Sequence, residues 1–164
     1  MNTLVANVMC IAVIGVGATA VMDLWLVFLK RVNVPTLNLA YIGRWTGHIF
    51  RGKWFHDGIS NAAAVKNERL IGWLAHYAIG IGFAALLIAV CGVGWTQKPT
   101  FAPAILVGMA TVVAPLFIMQ PAMGAGIASS RTATPLRNCL KSVVNHFVFG
   151  CGLYLTGLAL ARFS

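Results

Sequence analysis

Four long apolar segments constrain this chain more than any other feature of its sequence. They cover residues 4–29, 70–93, 101–120 and 143–161. A helix of about 20 apolar residues spans the hydrocarbon core of a bilayer, and backbone exposed to lipid has to satisfy its own hydrogen bonds. The chain is 59% hydrophobic and only 9% charged, whereas soluble domains carry about 25% charged residues. The sequence therefore predicts an all-α polytopic membrane protein, with four transmembrane helices in one bundle and a single domain over residues 1–164.

The basic residues predict how the chain is oriented in the lipid bilayer. Of the 12 Lys and Arg residues, only Lys98 and Arg162 lie outside the first and third connections between the apolar segments. Connections rich in Lys and Arg stay in the cytoplasm, so we expect both termini on the outer side of the membrane. The same asymmetry accounts for the net charge of +9, and the charge therefore gives no reason to predict binding to nucleic acid.

The first connection contains a segment with helical periodicity, residues 39–51. Ile42 and Ile49 fall on one side of this segment at about 100° per residue. Arg44 and Arg51 fall on the other side. An apolar stripe opposite a basic one is typical of a helix that lies in the membrane surface. We predict a cytoplasmic interfacial amphipathic helix, which serves either as an anchor or as a lid with a site for anionic lipid.

Three ionisable residues interrupt the apolar segments at a similar depth. Asp23, His76 and His146 lie on different segments, each five to seven residues from a basic residue of a cytoplasmic connection. At 1.5 Å per residue this is roughly 8–10 Å along a helix. An ionisable group at that depth costs several kcal/mol without a partner, so we predict that the three side chains meet inside the bundle. Further members of this candidate ligand or proton site are Thr19, Trp73 and Gln120.

The chemistry of this trio is compatible with several functions. A carboxylate and two imidazoles can bind protons or a small solute in a transport protein, and this is the leading prediction. The same groups can also hydrogen-bond across helices only to fix their packing. Alternatively, Asp23, His76 and His146 are ligands of a transition metal, or the two histidines bind haem axially. The residues specify no cofactor, and a non-catalytic accessory subunit of a membrane complex is a further alternative.

Little else in the chain carries recognisable chemistry. There is no G-x-S-x-G or H-E-x-x-H motif and there are only 3 acidic residues, so the sequence favours a function other than catalysis. His48 and His56 lie in the first connection and are expected to be solvated or interfacial.

A flexible loop follows the third apolar segment, in the run MQPAMGAGIASSRT at residues 119–132. Its glycine amides and the side chains around Ser130 could hold a phosphate or a lipid head group. The alternative is a helix breaker followed by an ordinary loop. The residues of this candidate anion site are Arg44, Arg51, Ser129, Ser130 and Arg131.

Two features predict how the helices begin and pack. Thr134 and Pro135 resemble an N-cap followed by proline at the first helical position, so the fourth helix should begin before residue 143. Glycines recur in all four apolar segments, and small residues let helices approach closely in lipid. These glycine-rich faces also suggest a homodimer.

Five stretches resemble a known family: GVGATAVMDLW at residues 15–25, GRWTGHIFRGKWFHDGI at 43–59, ERLIGWLAHYAIGIGFA at 68–84, the run KPTFAPAIL to SSRT at 98–132, and NHFVFGCGLYL at 145–155. The chain is similar over nearly its whole length to the bacterial inner-membrane family catalogued as domain of unknown function 2938. The resemblance implies a small multi-span protein of the bacterial inner membrane. It implies no activity, cofactor or functional residue.

Overall fold

The computed structural model describes residues 3–163, in which every regular element is helical. The α-helices are α1 (Thr3–Arg31), α2 (Leu39–Ile49), α3 (Glu68–Cys91), α4 (Phe101–Ala110), α5 (Gln120–Ala122) and α6 (Pro135–Phe163). Short 3₁₀ turns occupy Ile59–Asn61, Val93–Thr96 and Ile127–Ser129. The all-α class predicted from the sequence is confirmed.

Four spans are long and apolar enough to cross a membrane, as predicted. They are Leu4–Arg31, Glu68–Cys91, Phe101–Ala122 and Pro135–Arg162. The fourth begins well before residue 143, because Pro135 at the first helical position needs no backbone N–H partner. Large apolar side chains on the spans are strongly exposed, among them Leu24 and Leu106. An acyl-chain environment accounts for this exposure, since soluble proteins rarely leave such surfaces uncovered.

The third span is interrupted by a π-helical segment, Ala114–Met119, between α4 and α5. Pro115 lies at the start of this segment, and proline has no N–H with which to continue the α-helical hydrogen bonds. Turns of this kind occur mostly as single insertions in α-helices and frequently at functional sites. The segment leads directly into Gln120, a residue of the predicted site.

The described chain divides into two compact units. Unit 1 comprises Met1–Val34, Tyr77–Thr111 and Asn145–Ser164, and unit 2 comprises Pro35–His76 and Val112–Val144. In unit 1 the core is formed by residues with little or no exposure, including Ile14, Leu87 and Leu153. Long apolar side chains of this kind pack closely in protein interiors.

Glycines bring the helices of unit 1 into backbone contact. A Cβ atom at Gly15 in α1 would lie 2.5 Å from the Cα of Ile81 in α3, and one at Gly108 in α4 would lie 2.6 Å from the Cα of Gly150 in α6. Neither position has room for a side chain. Gly15 and Gly108 therefore serve helix packing within one chain, as the rule for close approach in lipid predicts.

Unit 2 is built around the amphipathic helix α2. Ile42 of this helix packs with Ile59 and Met123 in a small apolar core, and Gly43 lies against the backbone of Gly72 in α3. The helix predicted over residues 39–51 is confirmed but ends at Ile49. Its apolar side packs in part against protein, and its location in the membrane surface stays a prediction.

Candidate functional site

Asp23, the acidic residue within α1, is bonded to a tyrosine of α3. The hydroxyl of Tyr77 donates a hydrogen bond to Asp23 Oδ2 at 2.8 Å. Both side chains are partly buried in unit 1. Ionisable residues inside membrane spans are usually paired and mark proton or substrate pathways, and Tyr77 is a partner that the sequence had not identified.

A second polar pair joins α1 to α6. The indole Nε1 of Trp25 donates to the side-chain oxygen of Asn145 at 3.0 Å. Both groups are partly buried, and a buried polar group without a partner would cost about 1–3 kcal/mol. The pair therefore fixes the approach of these two helices.

His146 is held by the end of α4. The hydroxyl of Thr111 donates to the carbonyl of Gly108 at 2.6 Å, and His146 Nδ1 lies 2.9 Å from that hydroxyl and 3.3 Å from the same carbonyl. Because a carbonyl oxygen only accepts, we assign the proton to Nδ1. This leaves Nε2 free to accept a proton or a hydrogen bond, with the ring of Phe83 6.2 Å away between centroids.

The three polar pairs form one layer of unit 1. Along α1 the residues Asp23 and Trp25 follow the core residue Ile14, and along α6 the residues Asn145 and His146 precede the core residue Leu153. The contact of Ala18 with Gly152 and the hydrogen bond of Trp25 with Asn145 together show that α1 and α6 run antiparallel. The pairs therefore lie on the same side of the core and link all four helices of the unit.

The other predicted members of the site occupy different surroundings. His76 belongs to unit 2, where its ring centroid lies 6.4 Å from that of Trp73. Thr19 is fully buried in unit 1, donates to the carbonyl of Gly15 at 2.8 Å and lies against Gly80. Thr19 thus packs two helices together. A meeting of Asp23, His76 and His146 stays a prediction.

Gln120 connects the third span to the loop that follows it. Its Oε1 accepts a hydrogen bond from the hydroxyl of Ser129 at 2.9 Å, and its side-chain amide donates to Ser142 in α6 at 3.4 Å. Ser129 is nearly fully buried. Both residues had been assigned to candidate ligand sites, and in the structure they bond each other and organise the loop.

Arg44 is engaged in the structure of unit 2. Its Nε and Nη2 donate to the carboxylate of Glu68 at 2.8 and 2.9 Å, and its Nη1 donates to the carbonyls of Ile59, Ser60 and Ala62. The hydrogen bond to Glu68 raises the pKa of Arg44, so the guanidinium stays charged. Its donors are directed at the protein itself, and we do not include Arg44 in a ligand site.

We expect Arg44→Gln to lower the thermal unfolding midpoint by several degrees, because it leaves Glu68 without its cation and three carbonyls without a donor. The midpoint is measured by circular dichroism of the purified protein in detergent. Arg51→Gln is the matched control, since Arg51 is an exposed basic residue of the same connection. Equal midpoints for the two variants would contradict a structural role of Arg44.

Two further residues of the predicted anion site line an open cavity in unit 2. Ser130 and Arg131 lie along its wall, and its volume is about 670 Å³. Arg51 is exposed and is not among the lining residues. The cavity is also lined by His56, which was expected to be solvated or interfacial but is only 8% exposed. His56 is therefore not solvated, and its backbone N–H bonds the carbonyl of Ala122 at 2.9 Å within the unit.

A family model described as "Protein of unknown function (DUF2938)" matches residues 12–160. The chain belongs to the DUF2938 family. The resemblance noted in the sequence is therefore confirmed. No curated protein and no solved structure matches the chain, so membership in the family adds no activity to what the site itself suggests.

Metal binding by this DUF2938 protein finds no support in the arrangement of side chains. Within residues 3–163 no group of three or more His, Cys, Asp or Glu side chains could hold a metal ion. Asp23 and His146 instead have the hydroxyls of Tyr77 and Thr111 as neighbours, and hydroxyls of this kind are weak metal ligands beside carboxylate and imidazole. Ligation of a metal by Asp23, His76 and His146, or of haem by the two histidines, stays a prediction.

Sequence reasoning missed several residues of the DUF2938 polar layer. Tyr77, Trp25 and Asn145 are not ionisable at neutral pH, so a search for charged groups in the apolar segments did not select them. One signal was available, because Tyr77 adjoins His76 and Asn145 adjoins His146 in sequence. Polar residues that adjoin a predicted intramembrane site in the sequence should therefore be considered as members of that site.

Proposed function

We propose that this membrane protein carries a small solute across the bilayer together with a proton, and that Asp23 is the proton-binding group. The observation that carries the proposal is the hydrogen bond from Tyr77 to Asp23. It places a carboxylate with a dedicated donor inside an otherwise apolar span. Such a carboxylate is costly in lipid and is usually functional.

The neighbouring polar pairs support this proposal. The hydroxyl of Tyr77 and the imidazole of His146 are groups that accept and release protons through hydrogen bonds. Both belong to the polar layer that links the helices of unit 1. We infer that Asp23 holds the proton while the solute is bound, and that His146 contacts the solute or passes the proton on. His76 is retained as a further candidate proton carrier.

The test measures proton movement that depends on a solute. Wild-type protein is reconstituted into vesicles that contain a pH-sensitive dye, and small organic anions, amines and sugars are added outside one at a time. We expect at least one of these classes to change the internal pH. Asp23→Asn should abolish this change, and Tyr77→Phe should reduce it, since Tyr77→Phe removes only the hydroxyl that bonds Asp23.

Lys98→Gln is the matched control, because Lys98 is an exposed charged residue outside the spans and outside the polar layer. This variant should behave as the wild type does in the flux assay. Circular dichroism melts show whether each variant is folded. If folded Asp23→Asn moved protons and solute as well as the wild type, the carboxylate would be a packing group and the proposal would fail.

A further inference from the structure

The open cavity of unit 2 has the charge and shape of a binding site. Two cations, Lys53 and Arg131, line it together with one carboxylate, Asp57, and the neutral polar side chains of Asn61 and Ser130. Within residues 3–163 the guanidinium of Arg131 has no hydrogen bond or ion pair, in contrast to Arg44. The volume of about 670 Å³ lies in the range of small-molecule sites.

The wall of this cavity is held in place by the fold. Backbone hydrogen bonds of 2.9 Å join His56 to Ala122 and Ile59 to Met123. Gly124 has φ +92°, and a Cβ atom there would lie 2.6 Å from the carbonyl oxygen of His56. Only glycine fits both the conformation and the space, so the two chain segments that form the wall are in direct backbone contact.

The loop that carries Ser130 and Arg131 is strained. Ala128 and Ser129 adopt the left-handed conformation with φ of 49° and 61°, which non-glycine residues seldom do. The partly buried hydrogen bond from Ser129 to Gln120 holds this conformation. Strained backbone of this kind clusters at ligand clamps and active sites.

His56 supplies an independent indication of a ligand. Its side chain is buried, it lines the cavity, and its Nε2 has no hydrogen-bond partner among the described residues. A buried polar atom without a partner is unfavourable and calls for an explanation. The ring of His48 lies 4.9 Å away at an angle of 62°, but the Nε2 of His48 is already bonded to the carbonyl of Ala63 at 2.9 Å. A bound anion would stabilise a proton on this ring, because His56 lies in the wall of the cavity.

We propose that this cavity binds the phosphate group of an organic anion through Arg131, Lys53 and Ser130, and that His56 completes the site when it is protonated. Arginine suits phosphate because its planar donors bond two oxygens at once. The apolar lining residues Phe55 and Ile127 would contact the organic part of the ligand. Two sources share this chemistry, a water-soluble phosphate ester and the head group of an anionic phospholipid.

Acid should strengthen binding. Burial, followed by the charges of His48 and Lys53, lowers the pKa of His56 below its ordinary value of 6.5, so the imidazole is neutral at neutral pH. Protonation below that lowered pKa adds a positive charge to a lining that already holds Lys53, Arg131 and Asp57. By linkage, a bound anion favours the protonated imidazole and the protonated imidazole favours the anion. The affinity for an anion whose own charge does not change with pH, such as sulfate or a phosphodiester, therefore rises as the pH falls.

The experiment uses the whole protein and two phosphate probes, which are glycerol phosphate in detergent and phosphatidylglycerol in nanodiscs. In detergent, calorimetric titration with glycerol phosphate is carried out at about pH 7.5 and about pH 5. Sulfate is titrated in the same way as a control. Its charge is constant over this range, so a change in its affinity with pH comes from the protein and not from the ligand. In nanodiscs, the thermal midpoint is compared between phosphatidylglycerol and phosphatidylcholine. Binding of glycerol phosphate identifies a soluble source, and stabilisation by phosphatidylglycerol alone identifies a lipid source.

Three variants separate the contributions of the lining residues. We expect Arg131→Gln to weaken binding about tenfold or more, the effect of losing a hydrogen bond to a charged group, while Arg51→Gln leaves binding unchanged. His56→Gln should keep the affinity of about pH 7.5 and lose most of the increase at acid pH. Asp57→Asn should strengthen binding and retain the response of His56 to acid. The proposal is overturned if neither probe binds, or if Arg131→Gln and Arg51→Gln bind the probe equally.

Discussion

Gly72→Ala is expected to destabilise the protein by about 1–3 kcal/mol, the usual effect of overpacking a close contact. A Cβ atom at Gly72 would overlap the carbonyl oxygen of Leu39 and lie 2.8 Å from its carbon and 3.1 Å from the backbone nitrogen of Gly43. These are main-chain atoms and cannot rotate away. The first turn of α2 would have to move, together with the residues of α2 that pack in unit 2.

Gly82→Ala provides the matched control in the same helix. Nothing lies within 4 Å of a Cβ atom placed at Gly82, and alanine favours helix by about 1 kcal/mol over glycine. We expect its unfolding free energy to be unchanged or slightly higher. The two variants are compared by denaturant titration in the same detergent. Similar behaviour of Gly72→Ala and Gly82→Ala would mean that α2 and α3 do not approach as closely as described.

Leu153→Ala is expected to destabilise the protein by about 2–3 kcal/mol, toward the lower end of the range for large-to-small core substitutions. Leu153 is fully buried in unit 1 and packs in the same cluster as Leu87 and Phe149. In a membrane the loss comes mainly from missing packing contacts, because lipid is as apolar as leucine. The lower end of the range is therefore appropriate.

Leu155→Ala tests the same substitution two residues further along α6. Leu155 is 53% exposed, and acyl chains or detergent can fill the space that the shorter side chain leaves. We expect a change of about 0.5 kcal/mol or less, as for most surface substitutions. A larger loss at Leu155 than at Leu153 would show that the inward and outward faces of α6 are assigned incorrectly.

Much of the fold was predictable because lipid imposes a simple rule on the backbone. Apolar segments of sufficient length have to be helical, and all four spans follow from hydropathy alone. The prediction that differs from the structure concerns a local detail, the end of α2. Residues 50 and 51 extend the apolar and basic pattern of α2, but the helix ends at Ile49, since a periodic pattern does not itself specify where a helix stops.

The candidate site was less predictable, because side-chain direction and tertiary contacts decide it. The sequence predicted that Asp23 in α1 needs a partner, but it did not identify the hydroxyl donor Tyr77. Successive residues of a helix point about 100° apart, and the sequence alone did not show that the hydroxyl of Tyr77 reaches α1. His56 lies in a loop by sequence, and its burial depends on tertiary contacts that the sequence does not show, among them the hydrogen bond of its backbone with Ala122.

The left-handed residues Ala128 and Ser129 have a consequence for the kinetics of any ligand that enters the cavity of unit 2. Because the loop adopts its shape through internal bonds such as that of Ser129 with Gln120, its conformational entropy is lost when the chain folds. A ligand then meets a preorganised wall and does not have to order a mobile segment. Association should accordingly be rapid, and differences in affinity among ligands should appear mainly in how long each one stays bound.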